Sequence, residues 1–264
     1  VTVPVLRFTE PVGPAGAPLL VLGPSLGTSA ILWEDVVPLL ADRYRVTAWE
    51  LPGHGAAPAT TDSFTIGELA DAVAAAIAEF GGQAFYAGIS IGGATGLELL
   101  LRHPDLVDAA AVLASGASLA TPESWRERAA QVRAQSTSSL ISGSAQRWFG
   151  PTSVADRPEL TGRLLHVLQD ADDESYALAC EALAAYDVRE QLGGIEAPLL
   201  VVWGEHDQVA PVEKAGEIAS GVANAELVEI EDAAHLPAAE RPAATAAVLG
   251  AFFDAHSRRE GASR

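Results

Sequence analysis

The chain has one cysteine, Cys180, and no methionine in 264 residues. A single thiol excludes an intramolecular disulfide and any multi-cysteine zinc site, and Cys180 reads as a small buried apolar residue. Positive charge is also scarce. Against 35 Asp and Glu stand 16 Lys and Arg, a formal net charge of -19. A phosphate backbone would meet repulsion over most of such a surface, which argues against nucleic-acid partners. An anionic small ligand would need a locally positive pocket to overcome the same field. No apolar run approaches the ~20 residues of a membrane span, and Val1-Thr2-Val3-Pro4-Val5 shows no basic segment leading into an apolar stretch and a cleavage site. The expectation is a soluble cytoplasmic protein with no membrane partner. Ser257 to Arg264 read as a frayed polar tail.

What is present is apolar bulk, 49% of residues, enough for one substantial core. Apolar runs at Leu19 to Leu22, Arg45 to Trp49, Ala84 to Gly88 and Ala109 to Ala114 read as buried strands, each closing on a turn. Between them, Trp33 to Ala41 and Thr65 to Phe80 read as helices, the second with Ile66, Leu69, Val73, Ile77 and Phe80 at helical spacing. The alternation resumes with a strand at Pro198 to Trp203, a helix at Pro211 to Ala219, a strand at Ala225 to Ile230 and a helix at Pro242 to His256. This implies an α/β fold, a mostly parallel sheet with helices on both faces. Residues 119–188 differ, with Trp125, Val132, Leu140, Trp148, Leu164 and Leu168 on helical patterns and no convincing strand. They read as a helical lid inserted into a core made of residues 1–118 and 189–264. A lid over the carboxyl edge of the sheet would close a pocket there.

Gly88-Ile89-Ser90-Ile91-Gly92 lies between a strand-like and a helix-like run. The spacing alone is a weak signal in a chain with 24 glycines. Its context is stronger, since a serine on a strand-to-helix turn stands exposed and its flanking glycines remove side chains that would clash. Such a serine needs a base, and the base needs an orienting acid. His235, in Asp232-Ala233-Ala234-His235-Leu236-Pro237, follows the last strand and therefore shares the carboxyl edge with Ser90. His54, in Leu51-Pro52-Gly53-His54-Gly55, fits packing beneath the site better than chemistry; His103, His166, His206 and His256 are placed less well. For the acid, Asp207 follows the Pro198 to Trp203 strand. Asp232 competes, although its position three residues before His235 fits a turn former. Ile91, opening the helix after Ser90, offers a backbone N–H to an oxyanion.

The order Ser90, Asp207, His235 and the strand-turn-helix setting of Ser90 resemble the α/β-hydrolase superfamily over nearly the full chain. In register with that fold's oxyanion loop, Gly23-Pro24-Ser25-Leu26-Gly27-Thr28 puts Leu26 at the second donor position, with Pro24 where histidine is usual. Several stretches look like 3-oxoadipate enol-lactonases: Ser25-Leu26-Gly27-Thr28 with Trp33, Trp125-Arg126-Glu127-Arg128 to Val132-Arg133, Arg147-Trp148-Phe149, and Tyr176 to Cys180 leading into Tyr186-Asp187-Val188-Arg189. The chain departs from them at Gly23-Pro24, at Glu50 where Asp is commoner, and at Ile91 where Met is usual.

The resemblance implies a serine hydrolase that opens a carboxylated lactone through an acyl-enzyme, with no metal or organic cofactor. A substrate carboxylate would want a cation from the lid. Arg133, Arg128 and Arg147 are the candidates, with Trp125 and Trp148 as pocket walls; a solvated arginine and a lid-core tryptophan are the plain readings of the same residues. The triad equally suits another ester, lactone or carbon-carbon bond hydrolase or a cofactor-free perhydrolase. A ligand receptor on the same fold would not need it.

Overall fold

In the computed structural model, residues 3–257 are described; Val1, Thr2 and the expected tail beyond Ser257 lie outside them. The strands are β1 (Arg7–Phe8), β2 (Leu19–Gly23), β3 (Arg45–Glu50), β4 (Ala84–Ile89), β5 (Val107–Leu113), β6 (Leu199–Gly204) and β7 (Ala225–Ile230). They form one seven-stranded sheet in the order β1-β3-β2-β4-β5-β6-β7. Only the β1–β3 pair is antiparallel. Strands β2 and β4 are buried at every residue. That burial explains why they read as continuous apolar runs, since a parallel strand covered on both faces has no polar side to alternate with. Strand β1 gave no such signal, being two residues long and only partly covered.

The helices are α1 (Val37–Leu40), α2 (Ile66–Phe80), α3 (Ile91–Arg102), α4 (Pro122–Gln135), α5 (Ile141–Trp148), α6 (Ser153–Asp156), α7 (Pro158–Asp170), α8 (Asp173–Ala184), α9 (Val212–Gly221), α10 (Pro237–Glu240) and α11 (Pro242–His256). Helix α2 starts where its sequence says it should. Thr65 accepts the Glu68 N–H at 3.1 Å and Glu68 accepts the Thr65 N–H at 2.7 Å, a reciprocal capping box.

The single helix expected over Trp33 to Ala41 is instead a 3-10 turn at Ala30–Trp33 followed by the one-turn α1. The Trp33 indole donates to the Gly23 carbonyl at 3.0 Å, which ties the 3-10 turn to the end of β2. Pro38 has no N–H to give an ongoing helix and so sits in the first turn of α1.

Between β5 and β6 the chain forms α4 to α8 with no intervening strand, the helical insertion expected from its pattern. Arg133 on α4 joins Glu174 and Glu181 on α8 at 2.7 and 2.5 Å. The insertion meets the rest of the protein at several points. Arg163 is paired with Glu34 at 2.7 Å, Arg157 with Asp35, and the Asp172 N–H donates to the Gly53 carbonyl at 2.9 Å. No helix among the described residues is long and apolar enough to cross a membrane.

Candidate active site

Ser90 sits between β4 and α3 at φ 56° and ψ -115°. A non-glycine residue held there carries strain on the order of 1–3 kcal/mol, so its surroundings must hold it. The Ser90 N–H donates to the Leu113 carbonyl at 2.9 Å, and Ser115 Oγ donates to the Ser90 carbonyl at 2.7 Å. The two motif glycines answer to close approaches. A Cβ on Gly88 would collide with the Gly92 carbonyl, and one on Gly92 would lie 2.6 Å from the Pro24 oxygen.

Strands β4, β6 and β7 run parallel within one sheet, so the loops after them open at the same edge. The loop after β6 carries Asp207 and the loop after β7 carries His235. His235 Nδ1 lies 3.0 Å from Asp207 Oδ2, and both side chains are essentially excluded from solvent. A carboxylate oxygen can only accept, so Nδ1 is assigned as the donor, the tautomer in which a neutral imidazole keeps the lone pair on Nε2. Asp207 is itself held, since its Oδ1 accepts the Val209 and Ala210 N–H groups at 2.8 and 3.0 Å. Asp232 is exposed at φ 54°, its N–H donating to Glu205 at 3.0 Å; it shapes the turn.

The loop after β2 closes on itself through Ser25 and Thr28. Thr28 Oγ1 accepts the Ser25 N–H at 3.1 Å and donates to the Ser25 carbonyl at 2.8 Å. The Gly92 N–H donates to the Pro24 carbonyl at 2.9 Å, which locks this loop to the start of α3. Among the described residues, neither the Leu26 nor the Ile91 N–H has a protein acceptor. Glu50 braces the same region, accepting from Ala30 N–H at 3.1 Å and Ala56 N–H at 2.9 Å, a span between two loops. His54 is fully buried, stacked on Tyr176 and bonded through Nδ1 to the Pro52 carbonyl at 2.9 Å. Burial pulls its pKa down to about 4, and Nε2 has no hydrogen-bond partner among the described residues.

A cavity of about 210 Å³ opens over Ser90, lined by Leu119, Trp125, Arg128, Arg147 and Val209 among others. Arg133 is not among its lining residues. Its guanidinium is engaged by Glu174 and Glu181, so of the three candidate arginines Arg128 and Arg147 line the cavity and Arg133 does not. The Arg128 guanidinium lies 5.2 Å from the centre of the Trp125 ring. Burial, and after it the nearby Arg128 charge, lowers the Arg147 pKa. Among the described residues no carboxylate pairs with either arginine. Trp125 lines the cavity and donates from its indole to the Leu119 carbonyl at 2.6 Å. Trp148, expected as a second pocket wall, is not among the cavity's lining residues; a Cβ on Gly27 would lie 3.3 Å from its ring, so the indole packs by the loop carrying Leu26.

Two residues of the site escaped the sequence reading. Ser115, after β5, holds the Ser90 carbonyl. Glu240, on α10, is buried beneath the His235 loop and accepts from it. The signal for Glu240 was there, a lone charge closing the apolar stretch Leu236-Pro237-Ala238-Ala239.

Known proteins share the fold and much of the sequence. Residues 18–242 match the family model described as the alpha/beta hydrolase fold. The chain is 34% identical over 233 residues to 3-oxoadipate enol-lactonase 2 of Acinetobacter baylyi, covering 88% of this chain and 87% of that protein. It is 31% identical to the pimeloyl-[acyl-carrier protein] methyl ester esterase of Neisseria meningitidis, covering 86% and 90%. The crystal structure of the enol-lactonase from Burkholderia xenovorans superposes with a TM-score of 0.90 at 32% identity, covering 94% of this chain and 96% of that one. A parallel sheet with a strained serine after β4, a carboxylate–imidazole pair after β6 and β7, and a family match over most of its length make this chain a member of the α/β-hydrolase family.

Proposed function

We propose that the protein is a serine hydrolase acting on a small carboxylated lactone, with 3-oxoadipate enol-lactone as the reading supported best. The observation that carries the carboxylate is the pair Arg128 and Arg147, two guanidinium groups lining the cavity over Ser90 with no carboxylate among the described residues paired to them. Two like charges beside each other in a partly buried site are costly, and an anionic ligand between them relieves that cost. In a chain of net charge -19 this is a local reversal of sign at the cavity over Ser90. At about 210 Å³ the cavity is smaller than the ~300–1,000 Å³ clefts that take drug-sized ligands, which suits a small substrate.

In this reading His235 Nε2 takes the Ser90 proton as Oγ attacks the lactone carbonyl, while Asp207 holds the imidazole and stabilises its charge. The oxyanion is received by the Leu26 and Ile91 N–H groups, which are free to donate. Collapse breaks the ring C–O bond, and the leaving oxygen departs as an enolate that His235 protonates. Water, deprotonated by His235, then cleaves the Ser90 acyl ester. The products are Ser90 and an enol acid that tautomerises to the 3-oxo acid. No metal or organic cofactor enters any of these steps.

The test is a steady-state comparison of 3-oxoadipate enol-lactone, the same lactone with its carboxylate methylated, and simple aryl esters. The expected result is a kcat/KM for the carboxylated lactone at least ~100-fold above that of its methyl ester, as loss of a charge-assisted contact predicts. Equal values would leave a general esterase and remove the carboxylate from the account.

A further inference from the structure

The geometry points to Glu240 as a positioning residue that makes the pose of His235 depend on the seating of the helical insertion. The inference rests on His235 being the base proposed above. The Glu240 carboxylate is buried, 2% exposed, and each of its oxygens serves a different part of the protein. Oε1 accepts the N–H groups of Ala234 and Leu236 at 2.9 and 3.1 Å, the residues on either side of His235. Oε2 accepts the Gly150 N–H at 2.5 Å and the Ser153 hydroxyl at 2.7 Å, both within the insertion. The N–H of His235 itself donates to the Trp148 carbonyl at 3.2 Å, at the end of α5. Three consecutive N–H groups of the histidine loop are thus held by one carboxylate and by the insertion segment that the same carboxylate grips.

A carboxylate taken out of water is strongly unfavourable unless its oxygens are hydrogen-bonded, and losing one donor costs more than that bond contributed. Lifting the Trp148 to Ser153 segment would strip Oε2 of both donors and His235 of its N–H acceptor together. The remaining bonds to Ala234 and Leu236 would then have to hold the loop with half of the carboxylate unsatisfied. Gly150 fits this close approach, for a Cβ there would lie 3.1 Å from the Asp232 carbonyl and 3.3 Å from Oε2. Seating of the insertion and alignment of the imidazole therefore occur as one event.

Glu240→Gln separates the two halves, because an amide offers one accepting oxygen and turns its NH₂ toward donors on the other side. Ser153→Ala removes one donor from the insertion side, and the Ser153 hydroxyl touches Glu240 rather than the histidine loop. With an aryl ester as substrate, Glu240→Gln is expected to lower kcat by ~30-fold and Ser153→Ala by ~3- to 10-fold, each with KM changed less than ~3-fold; the double variant should be no worse than Glu240→Gln alone. The proton shared between His235 and Asp207, followed by NMR, should shift or broaden in both single variants while circular dichroism stays unchanged. The proposal is overturned if Ser153→Ala keeps wild-type kcat and an unmoved proton signal, or if activity in Glu240→Gln falls only in proportion to the folded fraction. That result is distinct from failure of the base assignment, which would show as turnover retained in His235→Ala.

Discussion

The carbonyl of Trp148 accepts the backbone N–H of His235 at 3.2 Å, so the last residue of α5 in the insertion is bonded directly to the residue proposed as the base. The indole of the same tryptophan covers Gly27, next to Leu26. One residue of the insertion thereby touches both loops on which the proposed chemistry depends.

Asp207 and Asp232 are both near His235 in the chain or in space, but only Asp207 bonds its imidazole. Asp207→Asn keeps the shape while presenting an amide to Nδ1, which favours the wrong tautomer. Its kcat is expected to fall by ~10³- to 10⁴-fold, whereas Asp232→Asn should change it less than ~3-fold. Steady-state kinetics on one aryl ester ranks the two, and the opposite order would assign the acid to Asp232.

The two cavity arginines predict a split by substrate. Arg128→Ala and Arg147→Ala should each raise KM for the carboxylated lactone by ~10- to 30-fold and leave the neutral methyl ester within ~3-fold. Arg133→Ala, which removes ion pairs with Glu174 and Glu181, should act on thermal stability and leave that KM unchanged. Equal losses on both substrates would make the arginines structural.

His54 predicts a pH dependence of stability. Its folded pKa of about 4 lies below the ordinary 6.5, so the unfolded chain binds a proton that the folded chain refuses. Stability is intact above pH 6.5 and falls as pH drops from 6.5 toward 4, by about 3 kcal/mol at most from this group. Urea unfolding between pH 7.5 and 4.5 should show this decline in the wild type and a flatter profile in His54→Gln, whose amide can still donate to the Pro52 carbonyl. Parallel profiles would remove His54 from the acid response.

Much of the architecture was legible because it rests on local pattern. Runs such as Leu19–Gly23 and Ala84–Ile89 are apolar at both faces, and in a parallel sheet their carboxyl ends must share an edge. That topology, rather than any contact visible in the sequence, puts the loops carrying Ser90, Asp207 and His235 at one edge of the sheet. The insertion was legible as helices but not as faces. Arg128 and Arg133 are five positions apart, a rotation of roughly 140° on a helix, so one can meet the cavity only if the other turns away. The mostly polar sequence of α4 does not say which. The break between Trp33 and α1 was hidden for a similar reason, since it depends on the indole reaching Gly23 from another element. Glu240 looks in sequence like any charged helix residue, and its meaning comes from four donors, two in the adjoining histidine loop and two in the insertion far away in the chain.

Ser90 is proposed as the nucleophile of a hydrolase for a carboxylated lactone. The most direct measurement is turnover of 3-oxoadipate enol-lactone by the wild type and by Ser90→Ala, with folding of both checked by circular dichroism. The account predicts turnover by the wild type and a loss of at least ~10³-fold in kcat for the variant. A wild type that leaves this lactone untouched, or a Ser90→Ala variant within tenfold of it, would contradict the account.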